Sequence, residues 1–304
     1  MTSATNPEAH SSMQPGAQEE PLAGGPTGRR SFFRGLGKVA LGSTAALLFG
    51  DLPLAQGQNT GANQDTAAQI VTAALIAEDL ATTFYYNGLI GAVIQDPSLA
   101  GPGGTALSIS NTGNAPNVTY LRAALGQEIT HANLLRTVGA LGTDATTDPY
   151  QTFYFPTGTF TTIGAFMATL ESLENAFIGA YLNAIREFSN LAIRATIRNV
   201  PSGRPGGPFS GFELNYFAQV AASILGVECE HRVLGGVISN ANQPNNLNYE
   251  QTDGLTSVYN GANSAVGALT PFLTPSTGPG VTLATALSGA LSLSVGSAGG
   301  APAQ

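Results

Sequence analysis

The chain has 304 residues, of which only 10% are charged, with 38 glycines, 18 prolines, no tryptophan and a formal net charge of −8. Such a chain lacks the basic face that nucleic acid requires, which excludes nucleic acid as a partner. The single cysteine, Cys229, excludes an intrachain disulfide, and with it zinc or iron–sulfur sites built from several thiolates.

Residues 1–28 are polar and rich in Pro, Gly, Ser and Gln, a composition that favours disorder. Arg29-Arg30-Ser31-Phe32-Phe33-Arg34 follows, then a moderately apolar stretch from Gly35 to Phe49. That stretch holds Lys38 and several glycines and is too short and weak for a membrane span. Paired Arg29 and Arg30 before an apolar run resemble a twin-arginine export signal, with cleavage expected after Ala55. The resemblance implies the twin-arginine export machinery as a partner and a periplasmic, extracellular or envelope location. It also implies that a metal could be loaded before export, because this route carries folded proteins.

Four segments then show helical periodicity. The first runs from about Asp65 to Ile94, with Ile70, Ala74, Ala77, Leu80, Phe84 and Leu89 in its apolar stripe. The second runs from about Asn117 to Leu141, the third from about Thr161 into the 190s, and the fourth from about Phe212 to Ser239. Gly, Pro, Ser and Asn mark the breaks, at Asp96 to Ala115, Gly142 to Gly158, Val200 to Pro208 and Asn240 to Asn248. Leu255 to Leu273 suggests a shorter fifth helix. The tail from Thr274 is Gly, Ala, Ser and Leu in low complexity, with no fixed structure assigned. No strand pattern competes. The expected division is a leader over 1–55, a linker over 56–64, one domain over 65–273 and a tail over 274–304. The fold expected is all-α: a four-helix bundle with a long second-to-third crossover.

Beyond the leader only two histidines remain, and each has a glutamate three residues before it: Glu128-Ile129-Thr130-His131 and Glu228-Cys229-Glu230-His231. Residues three apart share a helix face, so each pair can address one ion, and a carboxylate with an imidazole suits iron or manganese. The first and third helices offer Glu78 and Glu174, each seven residues before a tyrosine, Tyr85 and Tyr181. Glu78 and Glu128 lie 50 positions apart, Glu174 and Glu228 54. The chain therefore reads as two copies of one helical hairpin. Glu171, one turn before Glu174, competes for the same place; the tyrosine register favours Glu174. Glu230 and Asp79 are expected in solvent or in ion pairs with a nearby arginine, Cys229 as a small buried residue facing away, and Arg136 and Arg232 as candidate supports.

One Glu from each of two helices and a Glu-x-x-His from each of the other two is the pattern of the ferritin-like di-iron and di-manganese proteins. Over about 180 residues the chain resembles that superfamily, and the Leu-Glu then Ala-Tyr style of the third helix resembles its exported, desiccation-related branch. The resemblance implies Glu128 and Glu228 as bridges between two metal ions, with Glu78 and His131, and Glu174 and His231, ending the two sides. Tyr85, Tyr181 and Glu171 are candidates to support those ligands. The metal is iron or manganese. The chemistry implied is that of dioxygen or peroxide, oxidase-like or catalase-like; no Cys-x-x-Cys module accompanies it. A non-enzymatic, stress-protective or structural envelope protein on the same fold is the alternative, and iron storage would need a large shell assembly. A homo-oligomer is compatible with either reading.

Overall fold

A computed structural model describes residues 65–91, 116–139, 144–201, 209–239, 252, 254–275 and 278–293. Arg29, Arg30 and the rest of the leader lie outside the described residues. Four long helices form the bundle: α1 (Ala67–Ile90), α2 (Pro116–Thr137), α3 (Ile163–Ile197) and α4 (Gly211–Ile238). Helix α1 packs along α2, and α3 along α4; the two hairpins then meet, α1 on α3 and α2 on α4. The architecture is the expected all-α bundle, with the crossover between its second and third helices.

Sequence fixes where the helices begin. Thr66 caps α1 by accepting the Gln69 backbone N–H, while the Gln69 side chain accepts from the Thr66 backbone. Ser210 and Glu213 form the same box on α4, and Thr162 caps α3 alone. Asn199 follows the end of α3 at φ 51°, the left-handed conformation that asparagine tolerates. Helix α1 is long and apolar enough to cross a membrane by composition, but 83% of that window is buried inside the protein. It is the central helix, covered on all sides, and it therefore lacks a polar face.

Two apolar clusters fill the bundle. One is aromatic, built on Phe84, which stacks on Phe166 at 4.6 Å and tilts against Phe155 and Phe160. The other joins Ile70 and Leu75 to Tyr181, Phe188 and Phe217. The acidic residues of α1, Glu78 and Asp79, sit between them in sequence and are themselves buried.

The C-terminal segment departs from expectation. The fifth helix, α5, covers only Ala265–Leu273; residues before it, rich in Asn, Gly and Ser, form turns. Two three-residue strands do occur, β1 (Thr152–Tyr154) and β2 (Gly280–Thr282), antiparallel with Phe153 opposite Val281. Helix α6 (Leu283–Leu293) follows in the low-complexity tail, to which the sequence assigned no fixed structure, and it packs on α1. Its buried face is Leu283, Ala286 and Ala290, a helical stripe hidden by the monotony of the surrounding Gly, Ala and Ser.

Asp65 does not begin α1. It is buried and accepts from the backbone N–H groups of Val258, Tyr259 and Asn260 and from the Asn260 amide, at 2.6–3.1 Å. The Glu187 carboxyl group lies against it and accepts a second bond from Val258 N–H, 3.2 Å. Burial and the Asp65 carboxylate push Glu187 from its usual 4.5 up to about 8. Between those values the folded chain holds a proton that the unfolded chain releases, so stability falls as pH rises through that window. Glu187→Gln keeps the hydrogen bonds and removes the titration. Thermal unfolding from pH 5 to 8 should show a flatter slope, with a melting point raised by about 3 °C or more at pH 8. An unchanged slope would refute the raised Glu187 carboxyl group.

Candidate metal centre

Glu78 comes from α1, Glu128 and His131 from α2, Glu174 from α3, and Glu228 and His231 from α4, each near the middle of its helix. The structure brings all six together. The four carboxylates are 0–2% exposed, His231 3%. His131 is the one ligand candidate with a wetter edge, at 12% of its side chain.

The geometry is two groups that overlap. His131 Nδ1 faces Glu78 Oε2 at 3.2 Å, Glu128 Oε2 at 3.7 Å and Glu228 Oε1 at 3.7 Å. His231 Nδ1 faces Glu128 Oε1 at 2.9 Å, Glu228 Oε2 at 3.6 Å and Glu174 Oε1 at 3.8 Å. Each group could hold a metal ion, with donor atoms all within 4.8 Å of one another. Glu128 and Glu228 belong to both, and each offers one oxygen to either side.

The outer atoms of the cluster are held in place. Tyr85 donates to Glu174 Oε1 at 2.8 Å, and Tyr181 donates to Glu78 Oε1. Each tyrosine thus serves the glutamate of the opposite hairpin. That exchange follows from α1 and α3 running antiparallel, so that 85 meets 174 and 181 meets 78. Gln127 Oε1 lies 2.9 Å from His231 Nε2. That oxygen only accepts, so Nε2 keeps its proton and Nδ1 is the nitrogen left for the cluster. Gln127 was not singled out from the sequence; a polar residue beside Glu128 was its only signal.

The remaining candidates separate. Glu171, half-buried, accepts from Ser239 at the end of α4 at 3.0 Å and stands apart from both groups; Glu174 is the one that joins a group. Glu230 is exposed, as expected. Cys229 is partly buried rather than fully buried. Asp79 does pair with an arginine, but in the interior: Arg136 Nη2 reaches it at 2.8 Å, and Arg136 Nε reaches Asp148 on the crossover at 3.0 Å. Burial and the Asp148 carboxylate push Asp79 up to about 9 against the pull of Arg136.

Without a cation the cluster is electrostatically strained. Burial raises Glu174 and Glu228 well above the carboxylate range, reinforced by their carboxylate neighbours, and lifts Glu78 to about 8. Burial acts on Glu128 too, but His231 and His131 outweigh it and hold that carboxyl below its usual range. The same carboxylates overcome the burial penalty of the imidazoles, raising His131 to about 10 and His231 to about 9. Both oxygens of Glu128 and Glu228, one of Glu174, and His231 Nδ1 are buried without a hydrogen-bond partner. Orphaned buried acceptors of this kind are costly. Carboxylate oxygens and imidazole nitrogens aimed at common points fit a divalent cation.

Residues 66–202 match the family model for the ferritin-like domain. No curated protein and no solved structure matches the chain. The matched span runs from the start of α1 past the end of α3 and contains Glu78, Glu128, His131 and Glu174; Glu228 and His231 follow on α4. That span is similar to the ferritin-like domain, and the bundle it opens is an all-α bundle of the ferritin-like kind with a buried carboxylate–histidine cluster able to hold metal.

Proposed function

We propose that this chain is an exported protein that binds two iron or manganese ions and acts on dioxygen or peroxide in protection against oxidative or drying stress. Glu128 and Glu228 bridge the two ions; Glu78 with His131, and Glu174 with His231, end the two sides. The observation that carries this reading is the sharing: two donor groups overlap in just those two glutamates, with their oxygens left without hydrogen bonds. Bound there, the metals supply redox chemistry and Lewis acidity. The chain's own part is to hold the ligands and exclude water. Tyr85 and Tyr181 orient the terminal glutamates, and Gln127 fixes the nitrogen His231 presents. Export rests on Arg29, Arg30 and the apolar stretch behind them.

Elemental analysis of protein taken from its native compartment, with oxygen- and peroxide-consumption assays, tests the proposal. About two ions per chain with turnover is expected; absence of metal would refute it. One observation favours a second reading. Protonated His131 and His231 on either side of an ionised Glu128 balance part of the charge with no cation, as a structural polar network would. Bound metal without turnover would support a non-enzymatic, stress-protective or structural role.

Gln127→Leu should weaken binding at the His231 side by about 10–100-fold while leaving the other side intact, since the partner of a metal-binding histidine has that effect. A cobalt titration that stays indistinguishable from wild type would exclude this role for Gln127.

A further inference from the structure

Large apolar side chains stand out from the tip of the α3–α4 hairpin. Ile193 and Ile197 of α3 are 59% and 76% exposed, and Phe212 and Tyr216 of α4 are 81% and 47% exposed. The two helices run antiparallel there, with Gly211 set against Ala192 and Thr196 so closely that a Cβ would not fit. One residue on from those contacts, both helices turn to the same side. The two pairs, each spaced by one turn, therefore form one patch rather than four scattered residues, and contiguous apolar surface of that kind marks an interaction site. Helix α1 starts at this end too, where Ala67, Ile70 and Val71 pack with Ala192, Ala195 and Leu214. The chain ahead of residue 65 thus joins the bundle at the end that bears the patch.

The exposed charges beside the patch have one sign. Arg194 and Arg198 stand exposed next to Ile193 and Ile197, and neither has an acidic partner among the described residues. Glu213, between Phe212 and Tyr216 in sequence, is turned to its cap and accepts from Ser210 at 2.7 Å. The exposed acids among the described residues lie elsewhere. Asp144 is on the crossover, near Arg136, and Glu230 is on α4, about 21 Å along the helix from Tyr216. In a chain of net charge −8 the hairpin tip is a basic spot.

We propose that this tip docks on an anionic lipid surface. The four apolar side chains enter the boundary between headgroups and acyl chains, and Arg194 and Arg198 meet phosphate at its rim. Tyrosine and arginine suit that layer, because each has an apolar body and a polar end. A second copy of the chain fits worse. A two-fold contact centred on the patch would set these arginines against their own copies with no exposed acid beside them, and like charges across an interface are costly. Docking in this way does not depend on the metal centre.

Protein recovered from its native compartment, sedimented with vesicles, provides the test. Vesicles containing phosphatidylglycerol should bind it about tenfold or more tightly than phosphatidylcholine alone, and less so as salt rises. Arg194→Gln with Arg198→Gln should lower that binding by roughly thirtyfold. Ile197→Ser with Phe212→Ser should lower it by about tenfold or more. All four side chains are exposed, so thermal unfolding should be unchanged. Since the chain lacks tryptophan, Phe212→Trp provides a lone reporter. Its emission should move to the blue on the anionic vesicles, while that of Tyr120→Trp, exposed on α2, should not. Equal binding to the two kinds of vesicle, variants that bind as wild type does, or the same response from both reporters would overturn the docking. So would a dimer in light scattering that Phe212→Ser dissolves, without vesicle binding, which would give the patch to a second copy.

Discussion

On the proposed two-ion reading, Glu128→Ala should strip both metal ions from the protein, whereas Glu78→Ala should strip one. The asymmetry follows from the overlap of the two donor groups. Glu128 gives Oε1 to the His231 side and Oε2 to the His131 side, while Glu78 belongs to one group alone. Losing a shared carboxylate removes a donor from both ions and the negative charge that screens them from each other. The expected loss of affinity at each side is on the order of a hundredfold or more, above what the loss of an outer hydrogen-bond partner produces. Stoichiometry by elemental analysis after dialysis, with circular dichroism to show that the helices persist, reads the result. Equal loss from the two variants would mean that the sites are not bridged.

Arg136→Ala should cost about 3–5 kcal/mol of stability, the range found when one partner of a buried ion pair is removed. Arg136 is 6% exposed and serves two buried carboxylates, Asp79 on α1 and Asp148 on the crossover, besides Asn133 at 2.9 Å. Without the guanidinium, two acids face each other in the interior with no cation. Urea denaturation measures the loss. Adding Asp79→Asn and Asp148→Asn removes both buried acids and the one charge they are left to share, so the triple variant should be more stable than Arg136→Ala alone. A loss below about 1 kcal/mol would show the triad to behave as an exposed pair. Metal stoichiometry should be retained throughout, since none of the three is a ligand candidate.

The sequence signals that read true were those with a period. Apolar stripes located the four long helices, and the doubled Glu-x-x-His placed four of the six clustered side chains, because three residues on a helix fix a shared face. Glu174 over Glu171 followed from the Tyr181 register, although the tyrosine turned out to serve Glu78. Spacing along one helix does not say which neighbour a side chain will reach; the antiparallel pairing of α1 and α3 decides that. Other features had no local mark. Three-residue strands are too short to show alternation. Helix α6 lies in a composition that reads as a low-complexity tail. Asp79, Asp148 and Arg136 are separated by 57 and 12 positions, and Asp65 from Asn260 by 195. Each is explained only by what tertiary packing places beside it.

The bonds to Asp65 have a bearing on when the protein can be finished. Asp65, two residues before α1, is completed by backbone groups made 193–195 positions later. At about 5–20 residues per second, the ribosome needs roughly 10–40 s to supply them. Until then a carboxylate destined for the interior lacks the backbone donors of Val258, Tyr259 and Asn260. The bundle can gather its four helices during synthesis, but Asp65 is satisfied only once residues 258–260 have emerged.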